Sequence, residues 1–178
     1  MDNPETTTLT PAERLQLVNQ YRILEALYPD EAEHYAEHRE IVAEGITIRY
    51  GELFGELSDE IDVIEGKYVC EVLDMYKMLL GSFLALEDKQ GLTEKDVRFR
   101  GFDGHSESGR LALARHFEKL ERWEDVLTGD IDSHTPSTIY QYPPMLERYQ
   151  PMMERLASKD PFGWRFSASQ IKEIIGRD

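Results

Sequence analysis

Residues 59–89 read DEIDVIEGKYVCEVLDMYKMLLGSFLALEDK. Ile61, Ile64, Tyr68, Val72, Met75, Leu79, Phe83 and Leu86 recur three or four residues apart, the period of one helix face. Val69, Leu73, Leu80 and Leu84 form a second stripe on another face. A helix that is apolar on two faces belongs in the middle of a domain. The spacing therefore predicts one central helix over 59–89, about 45 Å long at 1.5 Å per residue. Ser58 is the expected cap. Gly66 and Gly81 cost about 1 kcal/mol each relative to Ala and leave room for a neighbouring helix.

The flanking sequence reads the same way. Residues 1–9 are polar and aperiodic, which predicts a mobile N-terminal tail. Thr10-Pro11-Ala12-Glu13 combines a cap, a proline at the first helical position and a capping-box glutamate. Leu17, Tyr21, Leu24 and Tyr28 then form an amphipathic stripe that Pro29 ends. A second helix follows, with Asp30, Glu31 and Glu33 at its positive end, Tyr35, Arg39, Ile41 and Val42 inward, and Gly45 closing it. Residues 46–50 are β-branched and read as an extended connector, with a brief helix inside 51–57.

Beyond the central segment, Thr93–Asp96 reads as a capped turn and 97–100 as a short strand-like piece. Helices are expected at 106–127 and 144–158, the latter kinked at Pro151, with 128–142 irregular. Ser167-Ala-Ser-Gln170 opens a last helix. No repeat, linker or low-complexity block interrupts the chain. The expected fold is all-α: a single-domain multi-helix bundle spanning 10–178, with at most a minor extended segment near 97–100.

The 178 residues carry 35 acidic and 20 basic side chains, a formal charge of −15. Residues 1–66 hold 16 of the acids and 4 of the bases, so the acidity is an N-terminal property. This disfavours direct nucleic-acid binding, which needs clustered Lys and Arg. At 40% hydrophobic the chain is too apolar for a disordered acidic tail. No run approaches a membrane span, no secretory signal opens the chain, and a single cysteine, Cys70, excludes an internal disulfide. A cytoplasmic protein is expected.

Chemical motifs are sparse. His34 and His38 share a helix face and can hold one metal ion with Glu31 or Glu37, but Tyr35 stands where a zinc hydrolase would place its base. Two solvated histidines are the plainer reading. Asp130-Ile-Asp132-Ser-His134 begins like a calcium loop but has Thr135 at position six and Gln141 at position twelve. Ser106 and Ser108 beside His105 read as helix caps, and Cys70 as a core filler. No Gly-x-Ser-x-Gly elbow and no glycine-rich phosphate loop occurs. No cofactor and no catalytic residue is assigned.

Several ordered segments carry a resemblance instead: Glu13–Tyr21, Phe54–Leu57, Leu73–Tyr76, Val97-x-Phe-x-Gly-Phe-Asp103, Arg148-Tyr-Gln150 and Ser167–Ile175. In this order they resemble the YfbU family over residues 9–176. The resemblance implies a small bacterial all-helical protein and brings no catalytic or ligand-binding residue. Asp130–Ser137 and Pro143-Pro144 depart from the family pattern, and that pattern does not call for His34 and His38. Some relatives carry an added N-terminal DNA-binding segment, and the ten-residue polar leader here is not one.

Three functions are compatible with these residues. The first is a non-enzymatic helical interaction protein that self-associates as a dimer or higher oligomer. Its contact surface would involve Glu31, Glu37, Glu40 and Glu44, with Arg98 and Arg100 as basic counterparts. The second is a small-ligand or enzymatic site between helices, in a polar groove of Arg14, Asn19, Gln20, Tyr21 and Tyr76. Against it, Arg14 and Asn19 can simply tie loops down by hydrogen bonds. The third is a regulator that reaches nucleic acid through a partner protein.

Overall fold

A computed structural model of the chain describes residues 8–159 and 164–177. Among these residues there are eight α-helices and no strand, so the all-α expectation holds. The helices are α1 (Pro11–Leu27), α2 (Ala32–Glu44), α3 (Tyr50–Leu53), α4 (Val63–Ala85), α5 (Glu94–Val97), α6 (Ser108–Lys119), α7 (Ser137–Lys159) and α8 (Ala168–Ile175). The chain divides into two compact units, one ending at Asp59 and one from Glu60 onward. The expected tail lies outside the described residues except for Thr8 and Leu9.

The first unit is a helical hairpin. Thr10 accepts from the Glu13 amide while the Glu13 carboxylate accepts from the Thr10 amide, the capping box read in the sequence. Pro29–Glu31 makes a single 3-10 turn before α2. Gly45 ends α2 at φ 68, donating to Ile41 and Val42 carbonyls. The antiparallel pairing of α1 and α2 is held by side chains. Arg14 donates to the carbonyls of Val42 and Ala43 (2.8 and 2.7 Å), Arg39 pairs with Glu25 at 2.5 Å, and Tyr21 packs edge-on to His38. Thr47–Arg49 is a 3-10 turn and Tyr50 opens α3, where 46–50 read as an extended connector, while the brief helix expected inside 51–57 is found as the rest of α3, ending at Leu53. Arg49, bound to both Glu37 and Glu52, stabilises this tight winding over the β-branched preference.

The second unit is built around α4. Its buried face is Val69, Val72, Leu73, Met75, Tyr76, Leu79, Ser82 and Phe83. The helix is shorter than the expected 59–89 at both ends. Asp62 rather than Ser58 caps it, accepting from the Ile64 amide at 2.7 Å. At the other end the chain extends at Leu86, and the Lys89 ammonium turns back to donate to the carbonyls of Phe83, Leu84 and Leu86. Leu113 of α6 passes 3.8 Å from where a Cβ on Gly66 would stand, whereas Gly81 faces open space.

Two helices differ from expectation. α6 stops at Lys119, not near 127, because Glu121 and Trp123 adopt positive φ (54 and 52) and turn the chain. α7 starts at Ser137 and runs unbroken through Pro143, Pro144 and Pro151. Each interior proline forfeits a hydrogen bond, at a cost of about 3 kcal/mol. Burial of Tyr142, Met145, Leu146, Tyr149 and Met152 along this helix outweighs that cost. The strand-like 97–100 piece is the end of α5 followed by extended backbone. Its neighbourhood holds one isolated parallel bridge, Phe102 to Asp132.

Candidate functional site

Arg14, first among the expected groove residues, is a structural anchor. Its guanidinium satisfies the carbonyls left open at the end of α2 and lies 3.0–3.3 Å from where a Cβ on Gly45 would stand. A glycine is required there both for its left-handed φ and for this close approach. Arg148 repeats the device in the second unit. It donates twice to the Ile174 carbonyl, at 3.0 and 2.8 Å, beside left-handed Gly176. Tyr21 is half-buried against His38, and burial raises its hydroxyl pKa. Asn19 and Gln20 are exposed. Tyr76 does not join them: it is 1% exposed in the aromatic core of the second unit, against Phe99 and Tyr142. The space beside it measures 20 Å³, room for no more than a water.

The charged candidates are also engaged locally. Glu31 accepts from Tyr35 and Glu37 from Arg49, and Glu40 and Glu44 stand exposed on α2. Arg98 donates to the Thr128 carbonyl, and Arg100 to the Gln141 side chain. Both arginines are thus partnered within the second unit.

Three features escaped the sequence reading. The first is a second apolar face on α1. Leu17, Tyr21, Leu24 and Tyr28 face α2, but Leu15, Ile23 and Leu27 lie about half a turn away and are 63, 58 and 65% exposed. Ala12 and Asn19 continue this outer stripe. The spacing of 15, 19, 23 and 27 was present in the sequence and is the signal that would have found it.

The second is a buried ionic network. Glu107, with a side chain 1% exposed, accepts from Thr138 (2.5 Å), from the Asp103 amide (3.2 Å) and from Arg110 (2.8 Å). Arg110 also pairs with Glu65 at 2.6 Å and stacks over the Tyr68 ring. The Arg110 guanidinium holds the Glu65 carboxyl below its usual range. The Tyr68 hydroxyl is buried without a hydrogen-bond partner among the described residues, and burial pushes its pKa up to about 12. A lone Glu between Ser106 and Ser108 gives no hint of this in the sequence.

The third is a polar cleft of 430 Å³ lined by Asp103, His105, Ser108, Arg115, Asp132 and His134, among others. Two crossing loops build it. The Phe102 amide donates to Ile131 and the Ser133 amide to Phe102. Asp132 accepts from the amides of Gly104 and His134 (3.1 and 3.0 Å), which hold its carboxyl below the ordinary value. Arg115 stands 3.9 Å from Asp132. The calcium-like loop is thus folded on itself, with His134 paired to Asp130 and Asp132. Among the described residues no group of three His, Cys, Asp or Glu is placed to hold a metal ion.

An all-α chain with a helical hairpin and a set of helices around one buried helix belongs to the class of small helical proteins. The family profile described as the YfbU domain matches residues 7–176. The chain belongs to the YfbU family. No helix among the described residues is long and apolar enough to cross a membrane.

Proposed function

We propose that the chain works as a self-associating interaction protein, and that the outer face of α1 is its contact surface. The observation that supports this reading is that α1 is apolar on two opposite faces while α2 covers one of them. Each large apolar side chain left in water forgoes about 1.5–3 kcal/mol that burial would return. Ala12, Leu15, Asn19, Ile23 and Leu27 are uncharged, with exposed Arg22 at the edge of their stripe, within a unit whose residues 1–59 carry 13 acids and 4 bases.

A second copy fits this stripe better than a partner of opposite charge, because the stripe residues themselves offer nothing for such a charge to meet. It is also self-complementary. An antiparallel crossing on a two-fold axis at Asn19 sets Leu15 against Ile23 of the second copy and Ala12 against its Ala26. The two Asn19 amides then meet on the axis and fix the register.

Light scattering on the full chain at micromolar concentration tests this reading. A dimer is expected, converting to monomer in Leu15→Glu/Ile23→Glu with unchanged far-ultraviolet circular dichroism. A monomeric wild type, or a double variant that remains dimeric, refutes it.

A further inference from the structure

His34 and His38 are one helical turn apart on α2, and their ring centres lie 4.1 Å apart with planes inclined at 57°. Neither imidazole makes a hydrogen bond or an ion pair among the described residues. Their contacts are with rings: His34 packs against Tyr35 and His38 against Tyr21. The ring nitrogens of the two neighbouring imidazoles therefore have no protein partner among the described residues. We propose that His34 and His38 form a two-histidine chelate for a borderline divalent transition-metal ion of the zinc type.

The geometry suits such an ion. Zinc–nitrogen bonds are about 2.0–2.1 Å, which sets the two ligand nitrogens of one tetrahedral ion roughly 3.3 Å apart. Ring centres 4.1 Å apart, one turn apart on the same helix face, put the two imidazoles within the span of one such ion. α2 supplies a rigid support, and the Tyr21 ring restrains His38 from the side.

Because no third protein ligand is in place among the described residues, water completes the shell. This makes an exchangeable site, unlike the closed four-ligand sites that hold structural zinc. Imidazole nitrogen also sets the selectivity: magnesium and calcium take oxygen ligands and gain little here.

Isothermal titration of the full chain with zinc chloride, and separately with magnesium chloride, tests the site. One zinc per chain is expected, with at least a tenfold loss of affinity in His34→Ala and again in His38→Ala, and no heat from magnesium. His34 is exposed, so His34→Ala keeps its fold, and circular dichroism checks that it does. With copper(II) as the probe, electron paramagnetic resonance is expected to show two imidazole nitrogens in the wild type and one in either variant. Absence of zinc binding overturns the proposal. So does binding that changes less than twofold in both variants, or magnesium binding as tight as zinc, since either places the ion on the acidic surface.

Discussion

Replacing Glu107 by Ala is the sharpest test of how the second unit is held together. The carboxylate serves three donors from three places: the Thr138 hydroxyl on α7, the Asp103 amide before α6, and Arg110 on α6. Arg110 keeps Glu65 after the substitution, so its charge is not orphaned. Thr138 is fully buried and keeps only a 3.5 Å approach to the Thr135 carbonyl. A charged hydrogen bond contributes about 1.5–3 kcal/mol and each stranded buried donor costs about 1–3 kcal/mol, not additively. The expected loss is about 3–5 kcal/mol, the range for breaking a buried ionic contact from one side. Both tryptophans, Trp123 and Trp164, lie in this unit, so their fluorescence during thermal or urea unfolding reports it without interference from the helical hairpin. The midpoint should fall by roughly 10–20 °C. Thr138→Val should cost about 1 kcal/mol, and the double variant less than the sum, because the two share one bond. A Glu107→Ala midpoint within about 1 kcal/mol of wild type, or strict additivity with Thr138→Val, would show that the network contributes little.

Two further outcomes follow from the same unit. Gly101→Ala, at φ 86, would set a Cβ 2.2 Å from the Ile131 carbonyl oxygen, so we expect a loss of more than about 3 kcal/mol and collapse of the polar cleft; a variant as stable as wild type in the same fluorescence assay would contradict the loop crossing. Burial raises Tyr68 and Tyr149 to about 12 in the folded state, against about 10 for an unfolded phenol. Their contribution is therefore fully present below pH of about 10 and is lost as the pH rises from there towards 12. The urea midpoint should fall across that window and fall less in Tyr68→Phe; a midpoint flat through it would refute the burial.

Much of this architecture was legible because local chemistry and tertiary packing agree. The capping boxes at Thr10 and Ser167 and the glycine end at Gly45 stand where the sequence places them. The central helix was found by its period, but its ends were not. Its observed limits depend on Asp62 accepting an amide and on Lys89 folding back over three carbonyls, and neither event has a periodic signature. The start of α7, from 137 to 142, was misread as irregular because proline propensity is local, whereas the burial that overrides it involves residues far along the chain. The site was less legible still. Arg14 and Tyr76 looked alike as polar groups in matching segments, yet one closes a helix end and the other fills a core. The Glu107 network joins residues up to 73 positions apart, from Glu65 to Thr138, and no sequence spacing encodes it.

The segments that resemble the family have a common physical character. Glu13–Tyr21 supplies a capping box and the Arg14 anchor, and Arg148-Tyr-Gln150 supplies the second arginine anchor and a buried tyrosine. Leu73–Tyr76 is core, and Ser167–Ile175 is a capped helix. Much of what these segments supply closes a helix or fills the interior, but Leu15, inside Glu13–Tyr21, is 63% exposed and does neither. What the domain does must then reside in residues that the fold does not need. Leu15, Ile23 and Leu27 stand largely exposed on the hairpin, and His34 and His38 make no hydrogen bond through a ring nitrogen among the described residues. Removing the apolar stripe should therefore leave the hairpin folded and abolish association, and removing the imidazoles should leave it folded and abolish metal uptake. Separating these two losses from any loss of helix content distinguishes a working surface from a structural one.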